Sequence, residues 1–386
     1  HAIVADPGFD GKANKRVYFG NDGGIFKTDN VQTAGNDAQY SANWTRLNNG
    51  YAVTQFYAGA GNPKSQMIIG GAQDNGTLRG TPSNQSWTGF MSGDGGWCAA
   101  DQTDPNYFYG EYVYLNIFRS GNGAQSGEYI CGLYWNGSQW AWKPAPYQIP
   151  DAAASHALFI APFVLDPNNS NRILAGGASL WRTGNARQAN TTTTGPSWAA
   201  IKDPIISGSY ISALAVASGN SDVVWVGYAN GEVWKTTNAT ATTPSWNQLS
   251  LMVGRYCANI TIDPADSNTV YVTYGGYVQG NIHKTTSGGT AWTNIGQSLT
   301  VAAPVRALAI HPKVRDNIYA GTEVGLFVSS DGGITWGTSN QEPTNCSVDD
   351  LFWLDQTLVC VTHGRGMWSV ALTAATAGAD LTPQMA

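Results

Sequence analysis

Residues 309–336, AIHPKVRDNIYAGTEVGLFVSSDGGITW, hold the pattern that decides the fold. An apolar run ends at Ala309-Ile310 and is stopped by His311-Pro312. After a polar hinge, Ile318-Tyr319-Ala320-Gly321 forms a second run ending in glycine, and Leu326-Phe327-Val328-Ser329 a third. A tight Ser/Asp/Gly turn then leads into Trp336. Short apolar runs bounded by Pro, Gly, Asp and Asn are strand signals. Helical i, i+3, i+4 spacing is nowhere sustained.

Copies of this unit run along the chain. The third run recurs as Ile25-Phe26-Lys27-Thr28, Ile117-Phe118-Arg119-Ser120, Leu180-Trp181-Arg182-Thr183, Val233-Trp234-Lys235-Thr236 and Ile282-His283-Lys284-Thr285. Weaker copies are Thr77-Leu78-Arg79 and Met367-Trp368-Ser369. The bulky residue falls at positions 26, 78, 118, 181, 234, 283, 327 and 368, so the steps run from 40 to 63 residues. The first two runs recur too, for example Val164-Leu165-Asp166-Pro167 followed by Ile173-Leu174-Ala175-Gly176. Trp44, Trp87, Trp142, Trp198, Trp246, Trp292 and Trp336 close seven of the units, which reads as packing at the edge of each unit. Units of this length with four short strands are β-propeller blades. The expected fold is therefore all-β, a single β-propeller of four-stranded antiparallel blades over residues 1–372. Eight blades are expected, near 1–48, 52–91, 97–147, 156–204, 210–250, 256–299, 304–343 and 348–372. Seven is the alternative, if the long stretch around Glu128 to Trp142 is an insertion. The eighth unit carries three strands. Residues 373–386 read as a tail or linker.

Composition narrows the function. Only 12% of the 386 residues are charged, with 46 Gly, 15 Trp and 18 Tyr, against roughly 25% charged in ordinary soluble domains. So many aromatics exclude a disordered chain. A formal charge of -6 without clustered Lys or Arg argues against nucleic acid as partner. No apolar run is long enough for a membrane span. The five cysteines include no C-x-x-C pair, so no metal site is expected. Cys346 and Cys360 could pair across neighbouring strands, and Asp-rich turns could hold a structural calcium ion. No other cofactor is expected. Low charge with abundant Asn, Thr, Ser and Gly points to an extracellular or cell-surface protein. The start at His1, without Met, leaves room for further domains or a second propeller upstream.

Ser329-Ser330-Asp331-Gly332-Gly333-Ile334-Thr335-Trp336 matches the Asp-box (BNR-repeat) pattern Ser-x-Asp-x-Gly-x-Thr-Trp at every fixed position. Thr285-Thr286-Ser287-Gly288-Gly289-Thr290-Ala291-Trp292 is a degenerate copy. The chain thus resembles the Asp-box propeller superfamily, which includes sialidases, xyloglucan-hydrolysing enzymes and sortilin-like receptors. The phrase Gly70-Gly71-Ala72-Gln73-Asp74-Asn75-Gly76-Thr77 looks most like the large secreted BNR-repeat proteins labelled glycosyl hydrolases. The resemblance implies a carbohydrate-active protein with a polysaccharide or glycan as partner. The box itself is a turn and defines no activity.

In a propeller, the turns between second and third strands and the blade-to-blade connections share one face. That rule gathers many of the scarce ionisable groups on one rim. Asp74, Asp94 and Glu111 are the expected catalytic residues, because convergent carboxylates raise one another's pKa and a glycosidase needs an acid beside an ionised partner. Asp22, Gln73, Trp97, Tyr112, Arg255, Arg306, Glu323, His363 and Arg365 are the expected substrate-binding residues. Tyr256 and Asp349-Asp350 fall on the same rim. Asp22-Gly23 and Asp94-Gly95 could equally be ordinary turn residues. Tyr114, Trp135 and Trp140 lie outside the repeat positions and could stack on sugar rings. Three rim arginines match the carboxylate-binding set of sialidases, but the Arg-Ile-Pro element of that family is absent. Two functions follow: a glycoside hydrolase-like enzyme, or a non-catalytic propeller binding glycan or protein at the same rim.

Overall fold

The computed structural model describes residues 1–21, 24–38, 41–48, 53–251, 253–338 and 343–372, with backbone only at 84 and 85. It divides into two compact units, His1–Ala52 and Val53–Ala386. The first holds one four-stranded antiparallel sheet, Ala2–Ala5, Val17–Asn21, Gly24–Thr28 and Thr45–Arg46, in chain order. Within it Trp44 stands edge-on to Phe19 at 4.8 Å.

The second unit is a series of antiparallel meanders. Four-stranded sheets occupy 56–91, 98–129, 163–202, 211–248, 257–294 and 305–338, and a three-stranded sheet occupies 347–371. Helix is confined to Pro150–Ala153 and a 3-10 turn at Gly296–Ser298 among the described residues. The first strand of each sheet lies against the first strand of the next. The last of them, Ser347–Leu354, lies against Phe56–Asn62, where the Gly59 N–H donates to Asp350 Oδ2 at 3.1 Å. Gln55 also bridges His363. The arrangement is propeller-like.

Burial on both faces explains the strand composition. Along Asn220–Tyr228, Val223 and Trp225 enter one inter-sheet core, while Val224, Val226 and Tyr228 enter the other. Alternate residues point to opposite faces of a strand, so a sheet buried on both sides needs an unbroken apolar run. This is also why so little charge is needed.

Tryptophans tie one sheet to its predecessor. The indole N–H of Trp198 donates to Ile130 O at 2.9 Å, that of Trp246 to Ile201 O at 2.8 Å and that of Trp336 to Ile295 O at 3.0 Å. Each acceptor lies at or just past the outer strand of the sheet before. Trp87 packs on Phe56 at 5.1 Å, but its Nε1 is buried with no partner among the described residues. The sheet preceding it around the series is the three-stranded one.

The turn before each such tryptophan repeats a hydrogen-bond pattern. Ser329 Oγ accepts Gly333 N–H at 2.8 Å, and Asp331 accepts the Thr335 N–H at 2.9 Å and its hydroxyl at 2.6 Å. Those bonds, the Thr335 hydroxyl first, lower the Asp331 pKa to about 2. Asn238 does the same across an insertion, accepting Ser245 N–H at 3.0 Å, and Asn185 accepts Ser197 N–H at 2.9 Å.

Two expectations need correction. Trp142 does not close the sheet at 98–129, whose outer strand is Glu128–Tyr129. It belongs to a separate hairpin, Leu133–Trp135 with Trp140–Trp142. No disulfide joins Cys346 to Cys360. Cys360 lies inside an inter-sheet core, and burial pushes its thiol far above the usual range.

Candidate functional site

The first strands of the second unit surround a cavity of about 360 Å³ at one end. Tyr57, Ser212, Ala258 and Arg306 come from the second position of their strands, and Trp97 and Pro162 from the residue just before theirs. Glu323 comes from a turn between second and third strands, and His363 ends a second strand just before such a turn. Phe159 and Tyr256, both more than one-third exposed, widen the mouth. Both kinds of segment expected on the rim therefore meet here.

One guanidinium organises the polar wall. Arg306 Nε lies 2.7 Å from Glu323 Oε2 and 3.6 Å from Asp349 Oδ1. The two carboxylates thus flank a single nitrogen. The Ser347 hydroxyl donates to Asp349 Oδ1. Burial raises the Asp349 pKa, and Ser347, Arg306 and His363 oppose the shift while Glu323 adds to it. Across the mouth the Tyr57 hydroxyl donates to Gln73 Oε1 at 2.9 Å, and its ring meets that of His363 at 5.1 Å. Burial first, then the charges of Asp94, Asp74 and Asp349, raise the Tyr57 pKa. His363 Nδ1 is buried without a partner among the described residues. An unsatisfied buried acceptor or donor costs about 1–3 kcal/mol, which a ligand could recover.

Of the residues expected from sequence, Trp97, Arg306, Glu323 and His363 line the cavity, and Gln73 holds Tyr57 at its edge. The expected acids lie elsewhere. Asp94 Oδ1 accepts the Asp74 N–H at 2.9 Å, so this pair closes a turn in which Asp74 takes a φ of 59°. Glu111 is fully buried. Its carboxylate accepts the N–H groups of Leu115 at 2.9 Å, Ala161 at 3.0 and 3.1 Å and Trp97 at 3.2 Å. Burial nevertheless pushes its pKa up to about 8, against those bonds. Tyr112 packs its ring against Gly93. Arg255 is spent on Gly275 O and Asn281, and Arg365 donates to Thr344 O, so the three arginines do not converge. Asp22 lies outside the described residues.

Tyr57 and the pairing role of Asp349 were not singled out from sequence. Their signal is positional. Both sit near the start of a first strand, the place that Arg306 also holds. Among the described residues no group of three His, Cys, Asp or Glu is placed to hold a metal ion, and no helix is long and apolar enough to cross a membrane.

The fold and cavity define a propeller-like β protein with an acidic and aromatic mouth. Over 318 residues the sequence is 26% identical to a xyloglucanase from Paenibacillus sp, covering 71% of this chain. The chain spans 30% of that relative's length. No family model matches.

Proposed function

We propose that residues 53–372 form a seven-bladed Asp-box propeller acting on a polysaccharide at the cavity mouth, in the manner of an extracellular glycoside hydrolase. The pairing of Asp349 with Glu323 across Arg306 carries this reading. Burial favours the neutral form of Asp349, which suits a general acid, while Glu323, in contact with the Arg306 guanidinium, takes the place of base or nucleophile. The two groups sit in different environments, as glycoside cleavage requires. Trp97, Phe159 and Tyr256 supply faces for a sugar ring, and Tyr57, Ser212 and His363 supply polar partners. The likeness to a xyloglucanase supports a glucan backbone as the substrate class.

The test is release of reducing ends from xyloglucan and a panel of other polysaccharides. Asp349→Asn and Glu323→Gln should each lower kcat by about 100-fold or more, while Asp94→Asn leaves turnover intact. A second reading rests on Arg306, which ties up both carboxylates. If the wild type binds xyloglucan but releases no ends from any polymer, the cavity is a glycan-binding site without chemistry.

A further inference from the structure

The hairpin formed by Leu133–Trp135 and Trp140–Trp142 belongs to none of the meanders. It fronts a second cavity of about 420 Å³, lined by Phe90, Met91, Tyr129, Tyr134, Trp135 and Trp140 beside a few polar residues. None of its lining residues belongs to the central cavity. It lies instead against the outer strands Asn84–Met91 and Glu128–Tyr129.

Trp135 and Trp140 face each other across the hairpin and are 53% and 55% exposed. Exposed aromatic surface of this kind marks binding sites rather than packing. The rings are held in place. Their centroids lie 5.7 Å apart at 71°, and Trp140 stands edge-on to Tyr129 at 5.4 Å. Asn136 closes the turn by accepting Ser138 and Gln139 N–H groups at 2.9 Å. At the base, Asn190 donates to Tyr129 O at 2.9 Å and accepts from Lys143 Nζ. Little ordering is thus left for a ligand to impose. The lining is also neutral in effect, because Glu128, its one ionisable group besides the tyrosines, is paired with Arg119. Among the lining residues a charged polymer finds no free counter-charge, and the Lys143 ammonium behind Asn190 is buried and bonded to Asn190 Oδ1 and Thr194 O. A ligand with apolar C–H faces and a rim of hydroxyls fits aromatic walls edged by the Ser92 and Tyr134 hydroxyls.

We infer that this cleft is a second glycan subsite, which holds a neutral polysaccharide chain away from the central cavity. The ligand class rests on the proposed function; the site rests on the aromatic geometry. Affinity electrophoresis in gels containing xyloglucan, mixed-linkage β-glucan or anionic carboxymethylcellulose reads it directly. The double variant Trp135→Ala/Trp140→Ala should lose about tenfold or more of its affinity for the neutral polymers, with cleavage of short oligosaccharides unchanged. Trp135→Tyr/Trp140→Tyr keeps aromatic faces and should fall between, which separates lost contact from lost folding. Glu323→Gln should be retarded like wild type. Full retardation of the alanine double variant, or retardation of wild type by the anionic polymer alone, overturns the subsite. If Glu323→Gln and Arg306→Ala lose retardation while the tryptophan variants keep it, the subsite fails and the central site stands. If wild type neither cleaves nor is retarded by any polymer, both fail.

Discussion

Replacing Glu111 by alanine should destabilise the second unit, because its carboxylate holds the backbone behind the cavity wall and supplies no reacting group. Among the described residues its carboxylate accepts hydrogen bonds from main-chain N–H groups, those of Leu115, Ala161 and Trp97. The acceptor also pins a strained turn, in which Tyr114 and Leu115 take consecutive φ values of 52° and 63°. Truncation strands three buried donors at about 1–3 kcal/mol each, so a loss of about 3–5 kcal/mol is expected after partial relaxation. For a unit of roughly 300 residues the unfolding entropy is roughly 0.6 kcal/mol/K, which converts the loss to about 5–8 °C in Tm. Glu111→Gln keeps one acceptor oxygen and should fall between. The pH dependence adds a second signature. The folded-state pKa is pushed up to about 8, whereas an unfolded glutamate titrates near ~4.3. Between these values the folded chain holds a proton that the unfolded chain has lost, so this group's contribution falls as pH rises and levels off above about 8. The alanine variant should show a flatter dependence across that window. Calorimetry from acid to mildly basic pH measures both effects. An unchanged Tm together with lost polysaccharide turnover would refute the structural role and return Glu111 to the chemistry.

Other perturbations separate the cavity from the scaffold. Arg306→Met removes the cation that holds down the Asp349 pKa, so the alkaline limb of any pH–rate profile, where the general acid loses its proton, should move upward; with the Arg306 side chain 42% exposed, the stability cost should stay within about 1 kcal/mol. An unmoved profile would sink the pairing. Trp336→Phe and Trp198→Phe should each cost about 1 kcal/mol through loss of the indole N–H bond, and Trp87→Phe less, because its Nε1 has no acceptor among the described residues. Equal losses at all three sites in denaturant titrations would contradict the tie. Asp331 has a lowered pKa, so its contribution is present above the unfolded value and disappears as pH falls toward about 2; Asp331→Asn should remove that acid-side slope. Gly71→Ala would set a Cβ 2.0 Å from Gly96 O and should prevent folding, whereas Gly184→Ala meets nothing within 4 Å and should be tolerated in a solubility screen.

Strand positions were readable because the inner strands of the second unit are buried on both faces, which writes apolar runs such as 223–226 into the chain between glycine and asparagine turns. The closing tryptophans were readable for the same reason, except Trp142, whose spacing imitates a closing residue while its hairpin stands apart. The rim was legible as a set of segments but not as a constellation. Glu111 ends its strand as an exposed rim acid would, yet Ala161, 50 residues further on, supplies the N–H that captures it. Asp74 and Asp94 look like convergent acids, and only the main-chain contact between them shows a turn. Asp349 gains its raised pKa from burial first, and Glu323, distant in sequence and brought in by the fold, adds to it. Tyr57 sits in an apolar run with no turn signal beside it.

The sheet at 347–371, three-stranded among the described residues, gives the second unit a preferred breaking point. Every other boundary around the series has a four-stranded sheet before it, and three of them carry an indole tie. At the boundary between Met367–Ala371 and the sheet at 56–91, apolar packing of Met367 and Val361 against Phe56 and Ile68 and the N–H bonds of Gly59, Gly364 and Gly366 do the holding, without an indole tie among the described residues. Under tension, or in native-state hydrogen exchange, the unit should come apart there first, with the outer amides of Met367–Ala371 exchanging ahead of those in 211–228. The second unit then behaves less like a closed hoop than like a buckled belt, whose clasp can slip while the strap stays whole.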